Sequence, residues 1–190
     1  VTSTKPSTER EISGGMTTLI LPGFSKSNEK WAESLENQLD VRHEATVYKW
    51  RHWRTTDGIA LNKFDPYTEA SNIEMLIKDQ SKINIISKSI GTLVTAILMS
   101  RQKERFLRAI LCGIPLNGLS KRWKSEYNIL GQVREKEVWV IQNEFDPIGS
   151  FQAVEKFIGA INPKLFVIKK EGVATHDYYY ISEINKLLKG

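Results

Sequence analysis

Six short apolar runs, most of them followed by a stretch of helical periodicity, constrain the fold of this 190-residue chain more than any other feature. They lie at 16–21 (MTTLIL), 45–50 (ATVYKW), 83–87 (INIIS), 109–114 (AILCGI), 138–142 (VWVIQ) and 165–169 (LFVIK). A strand buried on one face alternates apolar and polar residues, whereas a continuous apolar run is buried on both. The intervening stretches supply the cover. Residues 27–39 place Trp31, Leu35 and Leu39 on one helical face, and Asp65-Pro66 reads as an N-cap with proline at the first helical position, ahead of Ala70, Ile73 and Ile77. Residues 90–101 carry Leu93, Val94 and Ile97, residues 151–161 carry Phe151, Val154, Ile158 and Ile161, and a last helix runs through Ile181, Ile184 and Leu188. The expected class is doubly wound α/β: a minimal six-stranded, mainly parallel sheet with helices on both faces.

The remaining bounds are set by composition. With 41% hydrophobic and 26% charged residues, the chain can build one core, and it is too apolar to stay disordered. Each apolar run is too short to cross a bilayer. A single cysteine, Cys112 inside the fourth run, excludes an internal disulfide and reads as a core residue. The net charge of +5 is too small to imply nucleic acid. Residues 1–15 are Thr/Ser-rich and end in Gly14-Gly15, so they read as a disordered tail, with residues 16–190 forming the domain. Met16 reads as the natural start, and the tail lacks the apolar stretch of a secretory signal, so a cytoplasmic location is expected.

In open α/β sheets, ligand sites lie beyond the carboxyl ends of the strands. The first run delivers Pro22-Gly23-Phe24 there and the third delivers Ser87-Lys88-Ser89-Ile90-Gly91. The fifth delivers Asn143-Glu144-Phe145-Asp146-Pro147, and the sixth leads to Thr175-His176-Asp177. A serine, an acid and a histidine thus reach one edge in that order. The pattern small-x-Ser89-x-Gly between an apolar strand and a helix is that of a sharp turn lifting a hydroxyl clear of the sheet, although an ordinary N-cap serine shares much of it. A serine hydroxyl also needs a base, and the chain offers His43, His52 and His176. The carboxylates nearest the later turns are Asp146, Glu144 and Asp177, the last reading as a helix cap.

These turns resemble those of the α/β-hydrolase family, from residue 16 to the carboxyl terminus, with Ser87 where the family usually has a glycine. By size the chain is similar to the small, lidless serine hydrolases of the retinoblastoma-binding-protein-nine kind, or to minimal lipases. The resemblance implies a catalytic triad of Ser89, Asp146 and His176 and an oxyanion hole formed by the amides of Phe24 and Ile90. It implies a serine hydrolase of the carboxylesterase type, cleaving a small or medium-chain ester through an acyl-enzyme, with neither metal nor cofactor. The competing expectation is a hydrolase-like protein-binding module with weak or no catalysis.

Gly23, Trp50, Trp53 and Trp123 are the candidate substrate contacts. Trp50 and Trp53 belong to Lys49-Trp50-Arg51-His52-Trp53-Arg54, where bases and aromatics interleave. That segment suits an anionic or aromatic substrate, or stacking of single-stranded nucleic acid, but equally a loop whose tryptophans cover the sheet edge. Residues 116–137, with Trp123 and Tyr127, stand where the family inserts a cap and have room for a short one. The expected partner is a small ester, with neither nucleic acid nor membrane. No phosphate-binding or dinucleotide glycine pattern occurs, so ATP and NAD are not expected.

Overall fold

The computed structural model describes residues 17–40, 44–56, 59–60 and 62–189. The expected tail, Met16 and His43 lie outside them. The six strands are β1 (Thr17–Leu21), β2 (Ala45–Val47), β5 (Ile83–Lys88), β6 (Phe106–Cys112), β7 (Val138–Asn143) and β8 (Val167–Lys170); β3 (Thr55–Thr56) and β4 (Ile59–Ala60) form a two-residue antiparallel hairpin outside the sheet. The sheet order is β2-β1-β5-β6-β7-β8, with every neighbouring pair parallel.

Side-chain alternation along these strands feeds two separate cores. Leu19, Leu21, Ile83, Ile85, Ala109, Leu111, Val138 and Val140 point into one. It is closed by the helices α2 (Pro66–Leu76), α3 (Ile90–Gln102) and α5 (Phe151–Ile161). Ile20, Ile86, Ile110, Cys112 and Ile141 point into the other, covered by α1 (Glu29–Gln38) and α6 (Ile181–Lys189) through Trp31, Leu35, Ile184 and Leu188. Both faces are therefore dry, which is why the strands read as unbroken apolar runs.

Several elements differ from expectation at their ends, for local reasons. β2 stops at Val47 because Tyr48 N–H already reaches Ile20 O and the ladder on β1 then meets Pro22, which has no N–H to offer. β6 starts three residues early, at Phe106 opposite Ile83, and ends when Gly113 turns left-handed at φ +67°. β8 starts two residues late, at Val167, because its pairing with β7 begins at Val140. Asp65 caps α2 as read, its carboxylate accepting from Thr68 N at 2.8 Å.

Residues 116–137 form two 3-10 segments around the short helix α4 (Lys121–Ser125). Tyr127, Ile129 and Leu130 are buried in the α2/α3/α5 core, and Tyr127 shares a 2.6 Å hydrogen bond with Thr92 of α3. Among the described residues, no helix is long and apolar enough to cross a membrane.

Cys112 is fully buried, and burial pushes its thiol up to about 12. With so little thiolate, the native chain should react with an aromatic disulfide reagent at least about a hundredfold more slowly than the urea-unfolded chain. Absorbance of the released thiolate measures both rates.

Candidate active site

Ser89 stands between β5 and α3 as the helix N-cap with φ 55° and ψ −123°, the one non-glycine residue with positive φ among those described. A residue with a Cβ adopts such angles only where its surroundings hold it there. Here Ser89 N–H donates to Cys112 O at 2.9 Å, extending the β5–β6 ladder. Ser89 O accepts from Thr92 twice, through its N–H at 2.9 Å and its hydroxyl at 2.7 Å. Two residues on, a Cβ at Gly91 would lie 2.5 Å from Leu21 O and 2.9 Å from Pro22 O, so only glycine lets α3 start this close to β1. The turn sets Ser89 at the first turn of α3, where unpaired N–H groups and the helix dipole favour negative charge.

Asp146 lies in the turn after β7 and is 2% exposed. Its Oδ2 accepts from His176 Nδ1 at 2.6 Å and from the Tyr178 hydroxyl at 2.5 Å, while Oδ1 accepts from Ile148 N at 2.8 Å. Burial raises the Asp146 carboxyl, but the hydrogen bonds from His176, Tyr178 and Ile148 together outweigh it and hold the group below the ordinary aspartate value. An ionised carboxylate only accepts, so the proton of a neutral His176 sits on Nδ1 and its Nε2 keeps a free lone pair. That Nε2 is shielded from solvent and has no hydrogen-bond partner among the described residues. The Ser89–His176 hydrogen bond is thus open in this arrangement, a common condition of such pairs without substrate.

The other carboxylates are occupied elsewhere. Glu144 pairs with Lys169 at 2.8 Å and accepts from Gly172 N at 2.8 Å. Asp177 does not cap a helix, because α6 begins only at Ile181; instead its carboxylate stands 3.6 Å from the Lys88 ammonium. Lys88 is itself buried beside Trp31, and burial lowers its amine despite the attraction of Asp177.

The residues that orient His176 were not singled out from sequence. Asn143 donates from Nδ2 to Thr175 O at 2.8 Å and to Asp177 O at 2.9 Å, stapling the backbone on both sides of the histidine. Its Oδ1 accepts from the Tyr180 hydroxyl. Tyr178 packs its ring against Gly113, where a Cβ would come within 2.3 Å of it. The signals were Asn143 as a polar end to an apolar strand and Gly113 interrupting AILCGI; neither names its partner.

The candidate substrate contacts divide. Trp50 is 1% exposed, and its indole N–H is shared between Pro22 O at 3.2 Å and Gly23 O at 3.0 Å. Trp53 Nε1 donates to Phe24 O at 2.7 Å, and His52 Nε2 lies 2.8 Å from the same oxygen. Both indoles therefore hold the first turn from the protein side. Gly23 is buried in that turn, and Trp123 is half-buried in α4 against the α2/α3/α5 core. Phe24 is exposed, stacked on His52 at 4.6 Å between ring centroids.

A cleft of about 770 Å³ lies at the opposite edge of the sheet, lined by Met99, Phe106, Leu107, Arg108, Val133 and Arg134 among others, and it includes none of Ser89, Asp146 or His176. Of the cations around it, Lys82 and Lys103 donate to backbone carbonyls and Arg134 pairs with Glu137.

The lowered Asp146 carboxyl has a thermodynamic consequence. Its stabilising contribution is complete above the ordinary value of about 3.8 and is lost as pH falls through its lower folded value. The wild type should therefore lose stability between about pH 5 and pH 2 more steeply than Asp146→Asn. Urea midpoints across that range give the comparison.

No protein-family model and no curated protein matches this sequence. Solved structures do. A lidless α/β serine hydrolase from Xanthomonas campestris superposes with a TM-score of 0.64 at 14% identity, over 95% of this chain and 83% of that one. A thermophilic esterase from Thermogutta terrifontis gives 0.67 at 12% identity, over 94% and 91%. A meta-cleavage product hydrolase from Pseudomonas fluorescens gives 0.62 at 11%, over 93% and 90%. With its parallel sheet order and these matches across nearly the whole chain, the protein has the α/β-hydrolase fold.

Proposed function

We propose that the protein is a serine hydrolase in which Ser89 is the nucleophile, His176 the general base and Asp146 the residue that orients and balances the histidine. The observation that carries this reading is the 2.6 Å Asp146–His176 hydrogen bond, which turns Nε2 of the ring away from the carboxylate at the edge where Ser89 stands in its strained turn. In the first half-reaction Nε2 removes the hydroxyl proton as Oγ attacks the carbonyl carbon. The carbonyl oxygen takes the negative charge and is met by the amides of Phe24 and Ile90. As the tetrahedral intermediate collapses, His176 gives its proton to the leaving alcohol and an acyl-Ser89 remains. Water then enters, loses a proton to His176 and releases the acid.

A small or medium-chain carboxylic ester is the substrate class we favour. Support comes from structural neighbours described as esterases, from a marine microorganism and from Thermogutta terrifontis, and from a neighbour from Butyrivibrio proteoclasticus with ferulic acid bound. The exposed Phe24, Phe145 and Tyr179 add to it, since each lies in a turn after a strand at this edge and offers apolar surface to an acyl or alcohol group. A second reading, a hydrolase-like binding protein, takes its support from the open Ser89–His176 contact.

Labelling with a fluorophosphonate separates the two. Wild type should label covalently, and Ser89→Ala and His176→Ala should not. Both variants should lose roughly 10³-fold or more in ester turnover while keeping the wild-type unfolding midpoint within a few degrees. Folded wild-type protein that neither labels nor turns over a p-nitrophenyl ester series of increasing chain length would sink the enzymatic reading.

A further inference from the structure

The turn after β1 carries an unusual density of ring donors. Four successive carbonyl groups, from Pro22 to Ser25, are each held by a side chain. Trp50 spans the first two, Trp53 and His52 converge on Phe24 O, and Asn28 Nδ2 donates to Ser25 O at 3.1 Å. In a planar trans peptide the C=O and N–H point in opposite directions. Gly23 O and Phe24 N–H belong to one peptide unit, so an indole that fixes the former fixes the direction of the latter. Glycine makes that restraint necessary. Without a Cβ, Gly23 has the backbone freedom for its peptide to rotate, and such a rotation would exchange donor for acceptor at the site. A Cβ on Gly23 would meet the Asn28 side-chain amide at 2.8 Å, so a side chain there would displace the group that holds Ser25 O.

We infer that Trp50, supported by Trp53, is a positioning residue for the oxyanion hole: its indole N–H, held on Gly23 O, aims the Phe24 amide at the developing charge. This inference rests on the hydrolase reading above and gives the tryptophans a role other than substrate contact. Both donors are attached to rings that are themselves locked. Trp50 is buried edge-on against Tyr48 and Phe64, with centroids 5.1 and 5.5 Å away, and Trp53 is 7% exposed. A donor on a rigid, buried ring loses little freedom when it bonds, which suits a site that must not reorganise as charge appears.

Trp50→Phe keeps a large ring and deletes the N–H. Loss of an oxyanion donor outright typically costs 10²–10³ in kcat, so misaiming one should lower kcat about tenfold to a hundredfold with KM changed less than about threefold. Affinity for an alkyl boronic acid, whose tetrahedral adduct on Ser89 places an oxygen in the same hole, should fall by the same factor. A purely structural tryptophan would lower the unfolding midpoint and leave both unchanged. A kcat within about twofold of wild type, or a loss confined to KM, overturns the inference. If Trp50→Phe does not fold, 3-benzothienylalanine at position 50 preserves the indole shape without its N–H and faces the same criteria. Wild-type protein without ester turnover would instead overturn the hydrolase reading and this inference together, and that is known before any tryptophan is changed.

Discussion

The positive φ of Ser89 is the constraint around which the carboxyl edge of the sheet is organised. Ser89 joins β5 to α3 as a single residue at φ 55° and ψ −123°, a conformation that costs an L-residue on the order of 1–3 kcal/mol. The neighbouring contacts offset that cost. The Cys112 carbonyl continues the ladder on one side, Thr92 caps the Ser89 carbonyl on the other, and Gly91 lets the helix start against the β1 backbone. Thr92 also reaches Tyr127, so the segment between β6 and β7 is tied to the same turn.

A second centre stands on the opposite layer. Asp146 collects bonds from His176, Tyr178 and the Ile148 amide, and Tyr178 is in turn enclosed by Gly113 and Trp31, whose indole donates to Tyr178 O at 2.9 Å. Gln142 joins the turns after β6 and β7 by accepting from Ile114 N and donating to Gly149 O at 2.5 Å. Residues from the end of β7 and from the loop after β8 thus meet at one carboxylate, and α1 braces them through the Tyr178 backbone. The serine turn is built on the α2/α3/α5 side of the sheet and the acid–histidine pair leans on the α1/α6 side.

The sequence made the layers legible because burial on both faces leaves a one-dimensional trace, an apolar run, that needs no partner to be read. It made Ser89, Asp146 and His176 legible as residues reaching one edge because strand ends deliver the turns there. What it could not convey was pairing. Asn143, Gln142 and Tyr178 act through bonds to residues 28 to 35 positions away, and nothing in their own neighbourhoods distinguishes them from ordinary polar ends or core aromatics. Asp177 next to a presumed helix looked like a cap, yet the chain runs three residues further before α6 begins and the carboxylate turns to Lys88. The tryptophans after β2 carried a correct signal, aromatic coverage near the first turn, without disclosing that their N–H groups rather than their ring faces meet that turn.

The division between rigid and adjustable parts follows from those bonds. The first turn is held at four consecutive carbonyls and the serine turn by its own ladder and cap, so neither has an easy alternative arrangement. His176 is held at Nδ1 and through its flanking backbone, but Nε2 is without a partner. Its remaining freedom is rotation and small displacement of one ring, guided by a carboxylate that cannot move. The open contact between His176 Nε2 and Ser89 is therefore the one with most room to adjust. In the proposed hydrolase the adjustable contact would fall at the proton-transfer step and the rigid contacts where charge is met without reorganisation, as electrostatic stabilisation of a tetrahedral oxyanion requires.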